Sequence, residues 1–131
     1  MQSAVYQTDL PFPSRRQGKV RDIYQIPASN GEAGKVLIIA SDRISAFDVV
    51  MPTPVPSKGK ELTKVSCKWF DFIRELHLIE DHLIGTDPAD VEGLDAGYYP
   101  ECEGRMMLGR ACKVIPIECV VRGYLAGSGW K

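Results

Sequence analysis

The sequence predicts an α+β fold with a mainly antiparallel sheet and one long amphipathic helix. Several short strand-like segments come first, one stretch of helical periodicity follows, and a further pair of strand-like segments comes after it. Consecutive short strands joined by turns favour antiparallel pairing, whereas a parallel sheet needs alternating strands and helices. The chain of 131 residues is long enough for one domain with a substantial core.

Composition and charge exclude several classes of protein. The net charge of -1 gives no overall attraction to nucleic acid or to a membrane surface, so neither partner is expected. No apolar run has the length of a membrane span, and the first residues do not resemble a secretory signal. The four cysteines form no CxxC pair, which favours reduced structural thiols over disulfides or a metal site. We therefore expect a cytoplasmic protein with no metal ligands in this chain.

The strands are predicted from alternation, apolar runs and turn residues. Residues 1–16 are expected to be a loosely held arm, and residues 19–26 alternate as a strand. Residues 27–34 have the composition of a hairpin loop, and Lys35–Ala40 is a continuous apolar run typical of a strand covered on both faces. A third short strand is expected over residues 46–51.

One long helix is predicted from residue 58 to about residue 76. Apolar residues recur there at spacings of three and four and form one stripe: Leu62, Val65, Trp69, Phe72, Ile73 and Leu76. Ser57 occupies the N-cap position, and Lys58 and Lys60 lie in the first turn, where they oppose the helix dipole. Helix N-termini bind anions, so these lysines indicate either a ligand site or two solvated charges.

The second half of the chain is predicted to hold a long loop and two strands. Glycines and prolines recur over residues 85–104, which favours an insertion or a mobile flap. Strands are expected over residues 105–114 and 117–121. Glu118 lies within the apolar second strand, where a carboxylate must be paired or functional because burying it alone is costly.

Two polar stretches in the first half are candidate binding segments. Residues 18–21 (GKVR) could lie over nucleotide phosphates, although taken alone they favour an ordinary strand start with solvated charges. Residues 41–48 (SDRISAFD) carry more polar side chains than a hairpin turn needs. A self-satisfied turn and a binding role are equally favoured there for Asp42 and Ser45, whereas Arg43 is expected to meet a ligand.

A third stretch lies near the end of the sequence. Arg122 and Gly127-Ser128-Gly129 resemble an anion nest, in which loop N–H groups, a hydroxyl and a guanidinium converge on phosphate. The alternative is a glycine-rich hinge beside a surface arginine. Cations on short loops favour a small, multiply anionic ligand over a nucleic-acid track. They are Lys19, Arg21, Arg43, Lys58, Lys60 and Arg122.

Three motifs together resemble one enzyme family. GKVRDIY, ASDRISAFDVVMPTPVPSKGK and VIPIECVVRGYLAGSGWK, in this order and spacing, are similar to the phosphoribosylaminoimidazole-succinocarboxamide synthases, or SAICAR synthetases, over residues 17–131. PIECVVRGYLAGS is highly specific to that family, SDRISAFD is strong and GKVRDIY is only suggestive. The resemblance implies the N-terminal lobe of a loosely kinase-like, two-lobed fold, with residues 1–16 as an arm.

The resemblance implies an ATP-dependent carbon–nitrogen ligase of de novo purine biosynthesis. Its substrates would be ATP, with Mg²⁺, L-aspartate and 5-aminoimidazole-4-carboxylate ribonucleotide, and its products SAICAR, ADP and phosphate. Preorganised cations and N–H groups would supply most of the catalysis.

The resemblance also implies three sets of site residues. The implied ATP-binding set is Gly18, Lys19, Val20 and Arg21. The implied catalytic set is Arg43, Asp48 and Lys58. The implied substrate-binding set is Ser41, Asp42, Glu118, Arg122 and Ser128, of which the last two would grip the ribonucleotide phosphate. The magnesium ligands are expected in a C-terminal lobe.

The sequence departs from the family in its length. Family members are roughly twice as long, a two-domain span, and carry a later DxKxEFG segment that is absent from these residues. We therefore expect a lobe with weak or no ligase activity by itself, completed by a missing second lobe or by an oligomer. The alternatives are a non-catalytic nucleotide- or phosphate-binding module, and a lobe that complements a partner chain in trans through an exposed apolar face.

Overall fold

The computed structural model describes residues 4–28, 34–125 and 127–129, and these residues form an α+β fold. The strands are β1 (Arg16–Gln17), β2 (Arg21–Ile26), β3 (Lys35–Ala40), β4 (Ser45–Ala46), β5 (Val49–Val50), β6 (Leu83–Gly85) and β7 (Met106–Arg110). The helices are α1 (Lys58–Glu75) and the single-turn α2 (Tyr99–Cys102). Most of the predicted hairpin loop, residues 29–33, lies outside the described residues.

The sheet is antiparallel throughout, which confirms the predicted fold class. Five strands pair in the order β1-β2-β3-β7-β6, and β4 and β5 form a separate two-stranded sheet. The apolar strand β3 lies at the centre, between β2 and β7. Register places Tyr24 opposite Leu37 and Leu37 opposite Leu108, so one face presents a row of large side chains to the core.

Residues 88–102, within the segment predicted to be an insertion or a mobile flap, cover this face and contribute to the core. Val91, Leu94 and Cys102 from this segment are buried against the row formed by Tyr24, Leu37 and Leu108. Two short 3-10 turns (Pro88–Asp90 and Ala96–Tyr98) and α2 give the segment its local order. Its glycines and prolines allow tight turns, so the segment packs over the sheet without a long helix or strand.

Residues 4–16 are also fixed to the core, contrary to the predicted loose arm. Leu10 belongs to the buried cluster, and the Phe12 ring meets the Tyr24 ring edge to face at a centroid distance of 6.3 Å. Thr8 is fully buried, and its N–H and hydroxyl both donate to the Asp22 carboxylate. Side-chain hydrogen bonds, rather than a helix or strand, hold the arm in place. The periodicity of apolar residues does not reveal such contacts.

Helix α1 begins and ends close to its predicted bounds. It packs against the sheet through a face other than its apolar stripe. Its buried residues are the small Gly59 and Thr63. A Cβ atom on Gly59 would lie 2.1 Å from the carbonyl oxygen of Ala40, so only glycine allows this approach to β3. The stripe residues Leu62, Val65, Trp69, Phe72 and Leu76 are exposed.

Two predicted strands differ in the structure. The strand expected over residues 46–51 is a tight hairpin of β4 and β5, with Phe47 and Asp48 at positive φ (48° and 67°) in its turn. The strand expected over residues 117–121 is not formed, and residues 111–125, all described, are exposed and outside any helix or strand. Isolated apolar runs predict strands only where a neighbouring strand is available to pair with them.

Candidate functional site

Residues 18–20 form the turn between β1 and β2, and Arg21 is the first residue of β2. Arg16 pairs with Ile23 and Gln17 with Asp22, and the Gly18 N–H donates to the Arg21 carbonyl at 2.7 Å. Lys19 and Val20 therefore lie at the tip of a hairpin. Lys19 is exposed, as expected of a side chain available to a ligand.

Arg43 lies beneath this hairpin and is only 1% exposed. Its Nε donates to the Lys19 carbonyl at 3.0 Å, and its Nη2 donates to the Gly18 and Arg21 carbonyls at 3.0 and 3.1 Å. Nη2 also pairs with the buried Asp22 carboxylate at 2.8 Å. Contrary to the expectation of direct ligand contact, the guanidinium is occupied by the protein itself.

The same guanidinium reaches the N-terminal arm. Its Nη1 donates to the Tyr6 carbonyl, and its central carbon lies 5.7 Å from the centre of the Tyr6 ring. One buried arginine therefore joins the arm, the hairpin and β2. A buried charge is tolerated in this position because it is paired with a carboxylate and each of its three nitrogens donates a hydrogen bond.

Ser41 and Asp42 are buried beside Arg43 and also bind the protein. The Ser41 hydroxyl and N–H both donate to the Val20 carbonyl, at 2.9 and 3.1 Å. Asp42 accepts from the N–H of Gly59 at 2.8 Å and from the N–H of Val5 at 2.8 Å. Asp42 therefore caps α1, a role predicted for Ser57, whose own side chain makes no capping hydrogen bond.

Arg105 completes the buried polar centre and was not identified from the sequence as a site residue. Its Nη1 donates to Asp42 Oδ1 at 3.0 Å and to the Ala40 carbonyl at 3.1 Å. Burial raises the pKa of Asp42, but the bonds from Arg105, Gly59 and Val5 outweigh it and hold that pKa below its usual range. The sequence signal was an arginine directly preceding an apolar strand, which is too common to be diagnostic.

Asp48 is the exposed member of the predicted catalytic set. It accepts from Lys19 Nζ at 2.6 Å, and this hydrogen bond, with the lysine charge, lowers its pKa. The pair brings the tip of the β4–β5 hairpin to the tip of the β1–β2 hairpin. A cavity of about 330 Å³ lies beside it, lined by Tyr6, Gln17, Gly18, Lys19, Arg43 and Val50.

Lys58, the first residue of α1, lies in the same neighbourhood. Burial lowers the pKa of its ammonium, the Asp42 charge opposes this, and the charges of Arg21 and Arg43 lower it further. The Arg21 charge therefore acts on Lys58 at the N-terminus of α1, so cations from two separate motifs, the hairpin and the start of the helix, influence each other. An N-terminal helix end and clustered cations are suited to anion binding.

An apolar groove of about 400 Å³ lies on the sheet face opposite the core. It is lined by Ile23, Gln25, Val36, Ile38, His82, Arg110, Ala111, Cys112 and Val114. Ile23 is two residues beyond Arg21, about 7 Å along an extended strand, so the groove begins close to the hairpin.

The residues predicted near the end of the sequence are only partly brought together. Glu118 is exposed, so the premise of a buried carboxylate is wrong. Arg122 does lie over the 3-10 turn Gly127–Gly129, where a Cβ atom on Gly129 would come 3.4 Å from Arg122 Cδ. The side chain of Ser128 lies outside the described part of the chain, so its predicted phosphate contact stays a prediction.

No group of three or more His, Cys, Asp or Glu side chains that could hold a metal ion occurs among the described residues. Of the candidate site carboxylates, Asp42 pairs with Arg105 and Asp48 with Lys19. The four cysteines are free thiols, and burial raises the pKa of Cys102 to about 11. Within the described ranges, no helix is long and apolar enough to cross a bilayer.

Comparison with known proteins identifies relatives along nearly the whole chain. The SAICAR synthetase family model matches residues 14–131. The phosphoribosylaminoimidazole-succinocarboxamide synthase of Thermodesulfovibrio yellowstonii is 45% identical over 132 residues, which cover 100% of this chain and 42% of that protein. The corresponding protein of Syntrophotalea carbinolica is 48% identical over 128 residues, which cover 97% of this chain and 40% of that protein.

Two solved structures are similar to the whole fold. A SAICAR synthase superposes with a TM-score of 0.78 at 38% identity, covering 97% of this chain and 43% of that one. The Saccharomyces cerevisiae SAICAR synthase in complex with SAICAR superposes with a TM-score of 0.76 at 35% identity, with the same coverage. The chain thus spans about 42% of the length of such relatives. From its motifs, its fold and this match, the chain belongs to the SAICAR synthetase family.

Proposed function

We propose that this chain supplies the nucleotide-binding lobe of an ATP-dependent ligase that makes SAICAR in de novo purine biosynthesis. In this reaction the γ-phosphoryl group of ATP moves to the carboxylate of 5-aminoimidazole-4-carboxylate ribonucleotide, and ADP leaves. The amine of L-aspartate then attacks the acyl carbon, phosphate leaves, and an amide forms with loss of a proton. Mg²⁺ would neutralise phosphate charge in such a transfer, and we place its ligands outside this chain.

The observation that supports the proposal most directly is the cationic hairpin. Lys19 and Arg21 belong to the stretch that the resemblance assigns to ATP phosphates, and the Arg21 charge acts on Lys58 at the start of α1. The apolar groove that begins near Ile23 is large enough for a purine base. Phosphates at the hairpin and a base along β2 would place ATP across one end of the sheet. Separately, we propose a cytoplasmic setting, which suits the free thiols.

Exposed apolar residues support a further polypeptide as the completing partner. The α1 residues Leu62, Val65, Trp69 and Phe72 are each more than about a third exposed and form one face. We therefore favour a lobe that functions with a second lobe over a self-sufficient binding module. Whether the completing part is a second lobe or another copy is distinguished by the assay below.

The test is a ligase assay with aspartate, ATP, Mg²⁺ and the carboxylated ribonucleotide. We expect little or no SAICAR from the 131-residue chain alone and measurable SAICAR when the C-terminal portion of a family member is added. Activity at high concentration of this chain alone would identify a second copy as the completing partner. No product in either mixture, with no ATP binding by calorimetry, would contradict the proposed function.

Arg122 provides a substrate-specific test in the complemented enzyme. Arg122→Ala should remove a charge-assisted phosphate contact and weaken ribonucleotide binding by about 1.5–3 kcal/mol. Binding is measured by calorimetry for the ribonucleotide and for ATP separately. Loss of ATP affinity with unchanged ribonucleotide affinity would contradict the role proposed for Arg122.

A further inference from the structure

Every carbonyl of the hairpin turn is held by a donor. The Gly18, Lys19 and Arg21 carbonyls accept from Arg43, and the Val20 carbonyl accepts twice from Ser41. Four consecutive carbonyl oxygens are thus bound by two side chains and one N–H from a single short segment. An ordinary two-residue hairpin needs only its own cross-strand bond, which Gly18 already makes to Arg21.

Holding the carbonyls decides where the N–H groups point. In a planar trans peptide unit, the C=O and the N–H lie on opposite sides. Because the Gly18 and Lys19 carbonyls point down to Arg43, the N–H groups of Lys19 and Val20 in the same two peptide units point away from it. Two successive N–H groups on the outer side of a turn form a concavity that binds an anion.

We propose that Arg43 and Ser41 are positioning residues that hold this turn with its N–H groups directed at a phosphoryl group. This inference rests on the proposed ATP site and assigns Arg43 an indirect role, through the backbone of residues 18–21. Carbonyl oxygens repel phosphate, so a turn that was free to rotate would present repulsive as well as attractive groups. The exposed Lys19 side chain adds a charge at the same tip, and Asp48, its present partner, would be replaced there by phosphate.

Replacing Arg43 by lysine would keep the positive charge but lose the fork of donors that binds several hairpin carbonyls at once. The guanidinium presents five N–H donors in a fixed fork, whereas an ammonium is a point charge on a flexible stem. Arg43→Lys should therefore pair with Asp22 but release at least two of the three carbonyls. Arg74→Lys is the matched control, because Arg74 also binds a carboxylate, Asp81, and a backbone carbonyl, Leu83, away from the hairpin.

The experiment titrates the full chain with inorganic triphosphate and with ATP, and records amide NMR shifts and calorimetric affinity. In the unmodified chain, the Lys19 and Val20 amides should show the largest shifts. We expect Arg43→Lys to weaken triphosphate binding about tenfold or more and to abolish those two shifts, and Arg74→Lys to stay within about twofold of the unmodified chain. Thermal melting of each variant separates lost affinity from lost folding.

The outcomes distinguish this inference from the proposed function. Triphosphate binding that moves other amides, or a folded Arg43→Lys chain with unchanged affinity, overturns the inference and leaves the ATP site standing. No binding of either ligand by the unmodified chain contradicts the ATP site itself. If Arg43→Lys does not fold, Ser41→Ala carries the test, because it removes only one bond to the Val20 carbonyl. It should weaken binding about threefold, and unchanged affinity would overturn the inference.

Discussion

The polar centre beneath the hairpin and the outer face of α1 invert the usual arrangement of side chains. Asp22, Asp42, Arg43 and Arg105 are buried charges, while Leu62, Val65, Trp69 and Phe72 are exposed. The charges are buried because each is paired and binds backbone groups from other segments. The helix turns its small residues to β3 because Gly59 allows an approach that a larger residue would block. In these two regions, hydrogen-bond partners and close backbone packing, rather than hydrophobicity, decide which side chains are buried.

The largest expected effect comes from removing the arginine at the centre of the buried cluster. Arg43→Met leaves Asp22 charged, fully buried and without its closest cation, which should lower the free energy of unfolding by about 3–5 kcal/mol. Urea unfolding measures the change. The double variant Arg43→Met, Asp22→Asn should lose less than the sum of the single variants, and simple additivity would contradict the pairing.

Asp42 tests whether charge is what holds α1 to the sheet. Asp42→Asn should cost about 2–4 kcal/mol at neutral pH, because Arg105 loses its counter-ion. The folded-state pKa of Asp42 is lowered, so its contribution is present above the unfolded pKa of about 3.9 and is lost as the pH falls through the folded value. Urea midpoints measured between neutral and acidic pH should fall less in Asp42→Asn than in the unmodified chain. Asp48→Asn, at an exposed pair, is the control.

Gly59 tests the close approach of α1 to β3. Gly59→Ala should raise intrinsic helix propensity yet destabilise the fold by about 1–3 kcal/mol, because its Cβ would meet the Ala40 carbonyl and the Arg105 side chain. Gly97→Ala is the matched control, since a Cβ there meets nothing within 4 Å. Equal thermal midpoints for the two variants would contradict the close packing of Gly59 against the Ala40 carbonyl.

The smallest effect is expected on the exposed face of α1. Leu62 is 45% exposed and Leu37 is 0% exposed, so the same change to alanine probes both environments. Leu37→Ala should cost about 2–5 kcal/mol, whereas Leu62→Ala should change the free energy of unfolding by at most about 0.5 kcal/mol. A large loss for Leu62→Ala in the isolated chain would show that this face is covered by another copy.

Particular residues show how far sequence reasoning reached. Strand β3 and helix α1 were predicted within a residue because an apolar run and a regular period are local signals. Residues 18–21 and residues 41–48 were both predicted to be binding segments. The hydrogen bonds that join the two segments were not predicted. Arg43 was expected to meet a ligand because a guanidinium on a polar loop looks available, and nothing local reveals the carbonyls packed around it. Thr8, in a segment expected to be loose, binds Asp22 across the fold for the same reason.

By itself, the sequence determined the fold class, the central strand, the long helix, the family and the cationic stretches that a polyphosphate ligand would need. Those features depend on period, composition and short motifs, all of which are local. Only the tertiary structure decided that Arg43 and Ser41 serve the hairpin backbone, that Asp42 caps α1, and that the apolar stripe of α1 faces outward. Each of these depends on groups distant in sequence that meet in space, where hydrogen-bond geometry and steric fit, rather than residue type, select the partner.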